Sequence, residues 1–578
     1  MSKLNIDQKN IINLFSEKKT DFLIPDYQRP YAWEEKECQT LWEDIFSFAF
    51  PDNDVAKFNP ENDEYFLGPI VTFKNNNKME IIDGQQRLTT LMLLLRAFYS
   101  IYGNMRDTES LETSKKIARC IWKTDEMDHP NKEALKIDSE VANDDEKEEF
   151  LTILKTGNAD GKKSRYARNF RFFQNKIQEF LTGYPSYFNY LPTRILNNCI
   201  LLPIEAESQD TALRIFSTLN DRGKPLSDAD IFKAQFYKNY SKQGKKNDFI
   251  EKWKTLEEIC NEIFNPIQGT PMDELFTRYM YYERAKQGNK SSTTEALRKF
   301  YEKKDYELLK REETLSNLID LANFWKAVSD QNDEKFSENV LRKLFVLNYA
   351  PNGMWTYFVS VYYMKNKDKD GLLNEEKFLP FLDKITAFIW SYAITNPGVN
   401  ALRTPVYAEM LNIVNDKEVE FKDFLFERET LTNALYNHDF SNNRAITKSM
   451  LTWWAFHFEQ QEKFPLEARL DIEHIFARKR QENDRELSDV KSLEILGNKS
   501  LLEKGINIRA ADYRFSDKVK YYQGFTNAKG QKKNGTKIYE LVKLSKEQSD
   551  FNEADIKRRN KEIFDGFIGY LAENGLLQ

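Results

Sequence analysis

The spacing of apolar residues divides the chain into regions of different character. Up to about residue 235, short apolar runs such as YFLGPIVTF and CILLPIEA alternate with stretches of helical period, which predicts a mixed α+β domain. Residues 236–435 carry long amphipathic segments rich in aromatic side chains and predict a largely α-helical region. From residue 436 the pattern begins helically and then changes at RLDIEHIFARKR, a strand-like run followed by polar loops. We therefore expect an α+β multidomain protein, divided at 1–235, 236–435 and 436–578.

Composition and charge narrow the class of protein. Hydrophobic residues make up 40% of the chain and charged residues 30%, as in globular proteins with several cores. The N-terminus lacks the apolar segment of a signal peptide, and the apolar run around LMLLL is too short for a membrane span. We therefore expect a cytoplasmic protein with no membrane contact. The formal net charge of -6 argues against binding nucleic acid through bulk charge, so any such contact must be local.

The stretch IIDGQQRLTT, residues 81–90, predicts a strand, a turn at Gly84 and then a helix. The helix is indicated by apolar residues at spacings of three and four, namely Leu88, Leu91, Leu95 and Phe98. A helix start favours an anion, and Arg87 adds a fixed positive charge. Asp83 could hold Mg²⁺ or a ribose hydroxyl, while Gln85 and Gln86 could orient a water molecule or bind a base. A capped helix with a salt-bridged arginine explains the same residues equally well.

Two further polar loops lie in the same predicted domain. IPDYQRPYAW carries an exposed Tyr-Gln-Arg that could contact a base or a phosphate, at Tyr27, Gln28 and Arg29. IFSTLNDRGKPLSDADIF carries Asn220 and Arg222, followed by Ser227 and Asp230 at the spacing of a capping box. Each loop alone could be a turn and a cap. Polar loops with arginine occurring three times in one domain indicate a shared anion site.

The motifs IPDYQRPYAW, FLGPI, IIDGQQRLTTL and LNDRGKPLSDADIFKA, in this order, resemble the N-terminal half of the GmrSD-like modification-dependent, type IV restriction endonucleases. The resemblance implies a ParB-like α/β nucleotide-binding fold for residues 1–235. It also implies that the DGQQR motif binds and hydrolyses a nucleoside triphosphate, which places Asp83, Gly84, Gln85, Gln86 and Arg87 at the nucleotide.

The C-terminal region contains an acid, an imidazole and two amides, at Glu473, His474, Asn498 and Asn507. These residue types suit a single-metal nuclease. His474 would take a proton from the attacking water, Asn498 would orient the imidazole, and Glu473 and Asn507 would hold Mg²⁺ or Mn²⁺. Adjacent strand residues point to opposite faces, so Glu473 and His474 can reach one phosphate only where the strand ends or bends. A surface ion pair is the alternative.

The pattern EHI, LGN, a later asparagine and RFSDK resembles the HNH-type (ββα-metal) nuclease domain that forms the C-terminal half of the same family. The resemblance adds Lys518, the lysine of RFSDK, to the residues that are expected to contact DNA or the nucleotide. Two departures from the family pattern are Ala477 after EHI and Lys499 after LGN. We expect neither position to carry chemistry.

The sequence thus predicts a modification-dependent DNA endonuclease of anti-phage defence, in which nucleoside triphosphate binding and hydrolysis regulate metal-dependent cleavage of phosphodiesters. The expected partners are phage DNA with modified bases or backbone and a nucleoside triphosphate, and a homodimer is left open. Two alternatives remain, a nucleotide-switched DNA-binding protein with an inactive nuclease half, and an RNA-cleaving toxin.

Overall fold

The structure is a computed structural model that describes residues 5–18, 20–51, 64–75, 78–142, 144–208, 211–212, 215, 227–398, 400–511 and 514–578. It mixes α-helices with β-strands, which confirms the predicted α+β class. The chain forms two compact units, an N-terminal unit, Met1–Thr255, and a C-terminal unit, Leu256–Gln578. The unit boundary follows Thr255, so residues 256–435 belong to the same unit as residues 436–578. The division into three domains stays a prediction.

The N-terminal unit is built around a seven-stranded sheet. Its strands are β1 (Asn5–Ile6), β2 (Lys9–Asn10), β3 (Phe22–Ile24), β4 (Tyr65–Asn75), β5 (Lys78–Asp83), β8 (Ile137–Ser139) and β9 (Cys199–Ala206), while β6 (Trp122–Thr124) and β7 (Pro130–Leu135) form a separate hairpin. The order is β1-β9-β4-β5-β3-β8, with β2 also paired to β9. β5 runs parallel to β3 and antiparallel to β4. The runs YFLGPIVTF and CILLPIEA lie in β4 and β9, as predicted.

Helices cover both faces of this sheet. Successive residues of β5 point to opposite faces, so neighbouring residues of this strand join different cores. Ile81 joins the main core, which contains the helix Gln85–Tyr102, and Ile82 joins a smaller core with Tyr27 and Ala234. The described helices of this unit are Ile11–Ser16, Glu35–Ala49, Gln85–Tyr102, Thr108–Ile121, Lys147–Thr156, Arg165–Gly183, Pro185–Tyr187, Tyr190–Asn198 and Asp228–Lys242, and the helix Lys246–Ile263 contains the unit boundary.

The C-terminal unit is mainly helical, as its aromatic amphipathic segments predict. Its helices are Pro271–Lys286, Leu297–Tyr301, Lys303–Tyr306, Glu307–Lys310, Glu312–Ser329, Glu338–Leu347, Met354–Asn366, Glu375–Thr395, Arg403–Val414, Lys422–Phe424, Arg428–Asn437, Ala445–His457, Arg478–Asp484, Val490–Leu493, Leu496–Asn498, Lys504–Ala510, Phe515–Gln523, Tyr539–Glu547 and Glu553–Glu573. Two small antiparallel pairs complete it, β10 (Leu470–His474) with β11 (Lys499–Glu503), and β12 (Gly524–Thr526) with β13 (Lys532–Asn534). No described helix is both long and apolar enough to cross a membrane.

Candidate nucleotide and nuclease sites

The DGQQR motif forms the predicted strand, turn and helix. β5 ends at Asp83, Gly84 adopts φ 91°, and the helix begins at Gln85. A Cβ atom at Gly84 would lie 2.6 Å from Ile70 Cγ2, so both the backbone angle and the space require glycine. The predicted apolar stripe is buried, at Leu88, Leu91, Leu95 and Phe98.

Arg87 joins the DGQQR motif to the FLGPI motif of β4. Its Nη1 donates a hydrogen bond of 2.9 Å to the Pro69 carbonyl. The guanidinium lies across Gly68, where an added Cβ atom would be 3.0 Å from Arg87 Cζ. Two motifs that are separated by 12 residues in sequence therefore form one local structure.

A carboxylate and two arginines surround the start of this helix. Burial raises the pKa of Asp83, and the hydrogen bond from the Gly84 backbone and the charges of Arg87 and Arg29 oppose that rise. Burial lowers the pKa of Arg87, and the charge of Asp83 opposes that change. Buried charges of both signs therefore lie close together at the start of this helix. The positive end of the helix dipole already favours an anion at the same place.

Gln85 and Gln86 hold the YQRPYAW loop against the helix. Gln86 Oε1 accepts from the Ala32 backbone N–H at 2.7 Å and Gln86 Nε2 donates to the Pro30 carbonyl at 3.2 Å. Gln85 Nε2 donates to the Arg29 carbonyl at 2.5 Å. These contacts indicate that the two amides hold the loop. They do not indicate that the amides orient a water molecule or bind a base, as the sequence analysis expected. Of the side-chain amide atoms of these two glutamines, Gln85 Oε1 is buried and has no hydrogen-bond partner among the described residues.

The YQRPYAW loop is not exposed as the sequence analysis expected. Tyr27 is 5% exposed and Gln28 is 7% exposed, and Gln28 Nε2 donates to the carbonyls of Ile81 and Ile82 at 3.3 and 3.1 Å. Both side chains pack inward because the loop covers the end of the sheet. Arg29 is partly buried and is the residue of this trio that faces the charges around Asp83.

The third motif is only partly described. Asn220 and Arg222 lie outside the described residues. The helix Asp228–Lys242 begins as predicted, since Ser227 Oγ accepts from the Asp230 backbone N–H at 3.1 Å and Asp230 Oδ2 accepts from the Ser227 backbone N–H at 3.0 Å.

The strand pair β10–β11 sets the geometry of the candidate nuclease centre. His474 lies directly opposite Lys499, and Glu473 lies directly opposite Ser500. Directly opposed side chains share one face of a strand pair, so His474 and Lys499 lie on one face and Glu473 on the other. β10 ends at His474, which agrees with the expected strand end.

The His474 imidazole is a neutral base whose Nε2 atom is buried. Burial, together with the charge of Lys499, lowers the pKa of His474 to about 4, and Glu494 opposes the shift. Its Nε2 lies 3.6 Å from Glu494 Oε1 and has no hydrogen-bond partner in the part of the chain that the structure describes. At neutral pH this nitrogen can therefore accept a proton.

Lys499 lies beside His474 and is buried in an ion pair, and the expectation that this position carries no catalytic chemistry stays a prediction. Its side chain is fully buried, and its Nζ donates to Glu494 Oε2 and to the Phe440 carbonyl, each at 2.7 Å. Arg478 Nη2 donates to Glu494 Oε1 at 2.5 Å. Sequence reasoning missed Glu494 because a single acid in SLEILGN gives no sign that two cations and an imidazole converge on it.

Asn498 positions the chain after His474 instead of orienting the imidazole directly. Its Oδ1 accepts from the Phe476 backbone N–H at 2.7 Å, and its Nδ2 donates to the carbonyls of Phe476 and Leu493, each at 3.1 Å. The described contacts of Asn498 include none with the imidazole. Because Phe476 lies two residues after His474, these hydrogen bonds fix the end of β10.

The predicted metal pair, Glu473 and Asn507, does not fit a divalent ion as it is arranged. Glu473 is 3% exposed, and its Oε1 accepts from Lys518 Nζ and from the Tyr522 hydroxyl, each at 2.7 Å. A metal at this oxygen would have to compete with a buried ammonium group. Asn507 lies on the helix Lys504–Ala510. Across the described ranges, no group of three or more His, Cys, Asp or Glu side chains could hold a metal ion.

Lys518, expected from the RFSDK motif, is therefore the internal partner of Glu473. Its Nζ also donates to the His474 carbonyl at 2.6 Å, and its side chain is 1% exposed. The buried Glu473–Lys518 pair fixes the backbone at His474 from the face of the strand opposite the imidazole.

Arg480 and His457, two further basic residues of the C-terminal unit, make contacts within the fold. Arg480, in the RKR stretch, is buried and donates two hydrogen bonds of 2.8 Å to Asp550. His457 packs against aromatic rings, with its ring centroid 5.4 Å from that of Trp453 and 5.5 Å from that of Trp454.

Comparison with known families matches both halves of the chain. Residues 11–237 match the GmrSD restriction endonuclease, N-terminal domain, and residues 406–565 match the GmrSD restriction endonucleases, C-terminal domain. The first range contains the DGQQR helix, and the second contains the strand pair with His474. A search of curated proteins gave no match. The two ranges together cover more than half of the 578 residues, and the chain therefore belongs to the GmrSD family of type IV restriction endonucleases.

Proposed function

We propose that this restriction endonuclease cuts modified DNA in anti-phage defence. In the proposal, a ParB-like N-terminal half binds and hydrolyses a nucleoside triphosphate, and this controls phosphodiester cleavage by an HNH-type C-terminal half. The observation that carries the nuclease assignment is the His474 imidazole, whose buried Nε2 has no hydrogen-bond partner among the described residues.

His474 would act as the general base. A pKa of about 4 keeps the imidazole neutral before DNA binds, but it also makes the imidazole a weak base. A scissile phosphate beside the ring stabilises the imidazolium, so DNA binding raises the pKa of His474 toward the working pH. Arg478 is exposed and donates a hydrogen bond to Glu494. From this position it would contact the backbone phosphate of the incoming DNA. The centre thus becomes an effective base only when a phosphate is present.

The backbone around His474 is held from two sides. Lys518 binds the His474 carbonyl, and Asn498 binds the backbone of Phe476. Such support keeps the imidazole in a single orientation relative to the phosphate. A requirement for Mg²⁺ or Mn²⁺ stays a prediction, which chelation followed by return of each metal tests.

The start of the DGQQR helix supports the triphosphate proposal. The first N–H groups of a helix have no intrahelical acceptor, and the helix dipole is positive there. Arg29 and Arg87 would hold phosphate oxygens, and Asp83 would hold Mg²⁺ or a ribose hydroxyl. Gln85 and Gln86 would keep the YQRPYAW loop in place beside them.

The proposal is tested with phage DNAs that carry different base or backbone modifications, each with and without nucleoside triphosphates. We expect cleavage to depend on both the modification and the triphosphate. Arg87→Met should lose triphosphate binding and hydrolysis by about tenfold or more, since a charged hydrogen bond is lost. The matched control is Arg106→Met, which removes an exposed arginine. Equal cleavage of all DNAs under all conditions would contradict the control by modification and nucleotide.

A further inference from the structure

A small aromatic cavity lies within the C-terminal unit, away from the strand pair of the nuclease centre. Its volume is about 150 Å³. Its walls include Phe264, Trp325, Leu344, Phe345 and Trp355. Almost all of its lining comes from residues 263–356, which neither matched family range includes. The cavity therefore belongs to a part of the chain that the two family domains do not account for.

One buried arginine lines this cavity and carries an unused donor. The Arg278 guanidinium is stacked between Phe264 and Trp325, with its Cζ 4.4 and 4.3 Å from the ring centroids. Its Nε donates to Glu274 Oε1 at 2.9 Å. Its Nη1 is buried and has no hydrogen-bond partner in the described ranges, and Arg278 is 7% exposed overall. An unpaired buried donor is unfavourable, so a ligand with an acceptor atom would remove this cost.

The chemistry of the walls selects the kind of ligand. An apolar cavity of roughly 150 Å³ is large enough for one six-membered ring. Trp325 and Trp355 stand edge to face, 5.6 Å apart, and offer aromatic surface for stacking. A phosphate would be a poor ligand, because the walls are apolar and Glu274 already offsets the charge of Arg278. A neutral planar ring with a carbonyl oxygen satisfies both the walls and the donor.

We propose that this cavity binds a single pyrimidine base swung out of the DNA duplex, with its carbonyl oxygen accepting from Arg278. Enzymes that inspect a base in this way stack it between aromatic side chains and read its polar edge. Ser329, Gln331 and Thr356 also line the cavity and are polar groups that could read a ring substituent. This inference rests on the proposed function, since it assigns the reading of a modified base to the helical region.

The test measures binding of pyrimidine nucleosides to the full-length protein through tryptophan fluorescence. Trp325 and Trp355 line the cavity, so we expect pyrimidine nucleosides to quench the fluorescence, and purine nucleosides to have little effect. Arg278→Met should weaken this binding by about tenfold or more, because one hydrogen bond from a buried group is lost. The control is Arg342→Met, whose guanidinium stacks on Phe456 at 5.4 Å elsewhere in the same unit.

A second variant covers the case in which Arg278→Met does not fold. Ser329 is exposed at the end of the helix Glu312–Ser329 and lines the cavity, so Ser329→Trp should fill the cavity and abolish nucleoside quenching with the core intact. No quenching in the wild-type protein, or unchanged affinity in both folded variants, would overturn the proposal. Cleavage of modified DNA is measured in parallel. Cleavage without nucleoside binding would refute the cavity alone, whereas nucleoside binding without any cleavage would refute the nuclease and leave the cavity standing.

Discussion

Lys499 lies directly opposite His474 in the β10–β11 pair, and its ammonium group is 2.7 Å from Glu494 Oε2. His474 Nε2 lies 3.6 Å from the other oxygen of the same carboxylate. The buried ammonium group of Lys499 is therefore the counter-ion of Glu494. Its positive charge disfavours protonation of the His474 imidazole. Burial and the charge of Lys499 thus both lower the pKa of His474 in the candidate nuclease centre.

The first prediction concerns the titration of His474. The chain has four histidines, so each imidazole signal can be resolved by NMR and assigned by substitution. We expect the signal that disappears in His474→Gln to titrate near pH 4, because burial lowers the pKa of His474 to about 4. The imidazole is then neutral at all higher pH values and gains its proton only as the pH falls through about 4. Titration of that signal near the ordinary value of about 6.5 would contradict the described burial.

The second prediction concerns Lys499. In Lys499→Leu the cation is lost while Glu494 stays, so the pKa of His474 should rise and its titration should move to higher pH. Stability should fall by about 1–3 kcal/mol, since Glu494 and the Phe440 carbonyl lose a buried donor. The control is Lys479→Leu, which removes an exposed lysine five residues after His474. An unchanged His474 titration in a folded Lys499→Leu protein would show that the ion pair does not act on the imidazole.

The third prediction concerns Asn498. Asn498→Ala removes one acceptor and two donors to buried backbone groups, and we expect the free energy of unfolding to fall by about 3 kcal/mol. The kcat for DNA cleavage should fall more than KM rises, because the substitution loosens the chain after His474 without removing a contact to DNA. Urea denaturation and steady-state kinetics measure both effects. Asn483→Ala, at an exposed position, should change neither.

The fourth prediction concerns the clamp between the DGQQR helix and the YQRPYAW loop. Gln86→Met removes the acceptor of the Ala32 N–H and the donor to Pro30, so amide hydrogen exchange across residues 27–33 should accelerate by about tenfold or more. Gln178→Met, on the exposed face of another helix, serves as the control. Unchanged protection of the loop would mean that packing alone holds it.

Local periodicity was enough to predict the elements that carry the sites. The strand, turn and helix around Gly84 and the capping box at Ser227 follow from residues within a few positions of one another. The strand of EHI was likewise predicted, and β10 ends at His474. These features depend on short-range backbone preferences, which a single sequence displays directly.

Contacts between distant residues could not be predicted in the same way. Gln28 lies 53 residues from Ile81 and still donates to its carbonyl, and Lys518 lies 45 residues from Glu473. Nothing in either local stretch shows which polar side chain turns inward. For the same reason the buried ion pair of Lys499 could not be predicted, because its partners Glu494 and Phe440 become neighbours only in the folded unit.

We propose that His474 is the general base of a DNA nuclease. The most direct test is single-turnover cleavage of modified phage DNA by the full-length protein and by His474→Gln, with DNA binding measured separately. Loss of a general base costs about 10²- to 10⁴-fold in rate, so His474→Gln should bind DNA normally and cut it at least about a hundredfold more slowly. His129→Gln, at an exposed turn, should cut at the wild-type rate. Cleavage by His474→Gln within a few fold of the wild-type rate would show that His474 is not the general base.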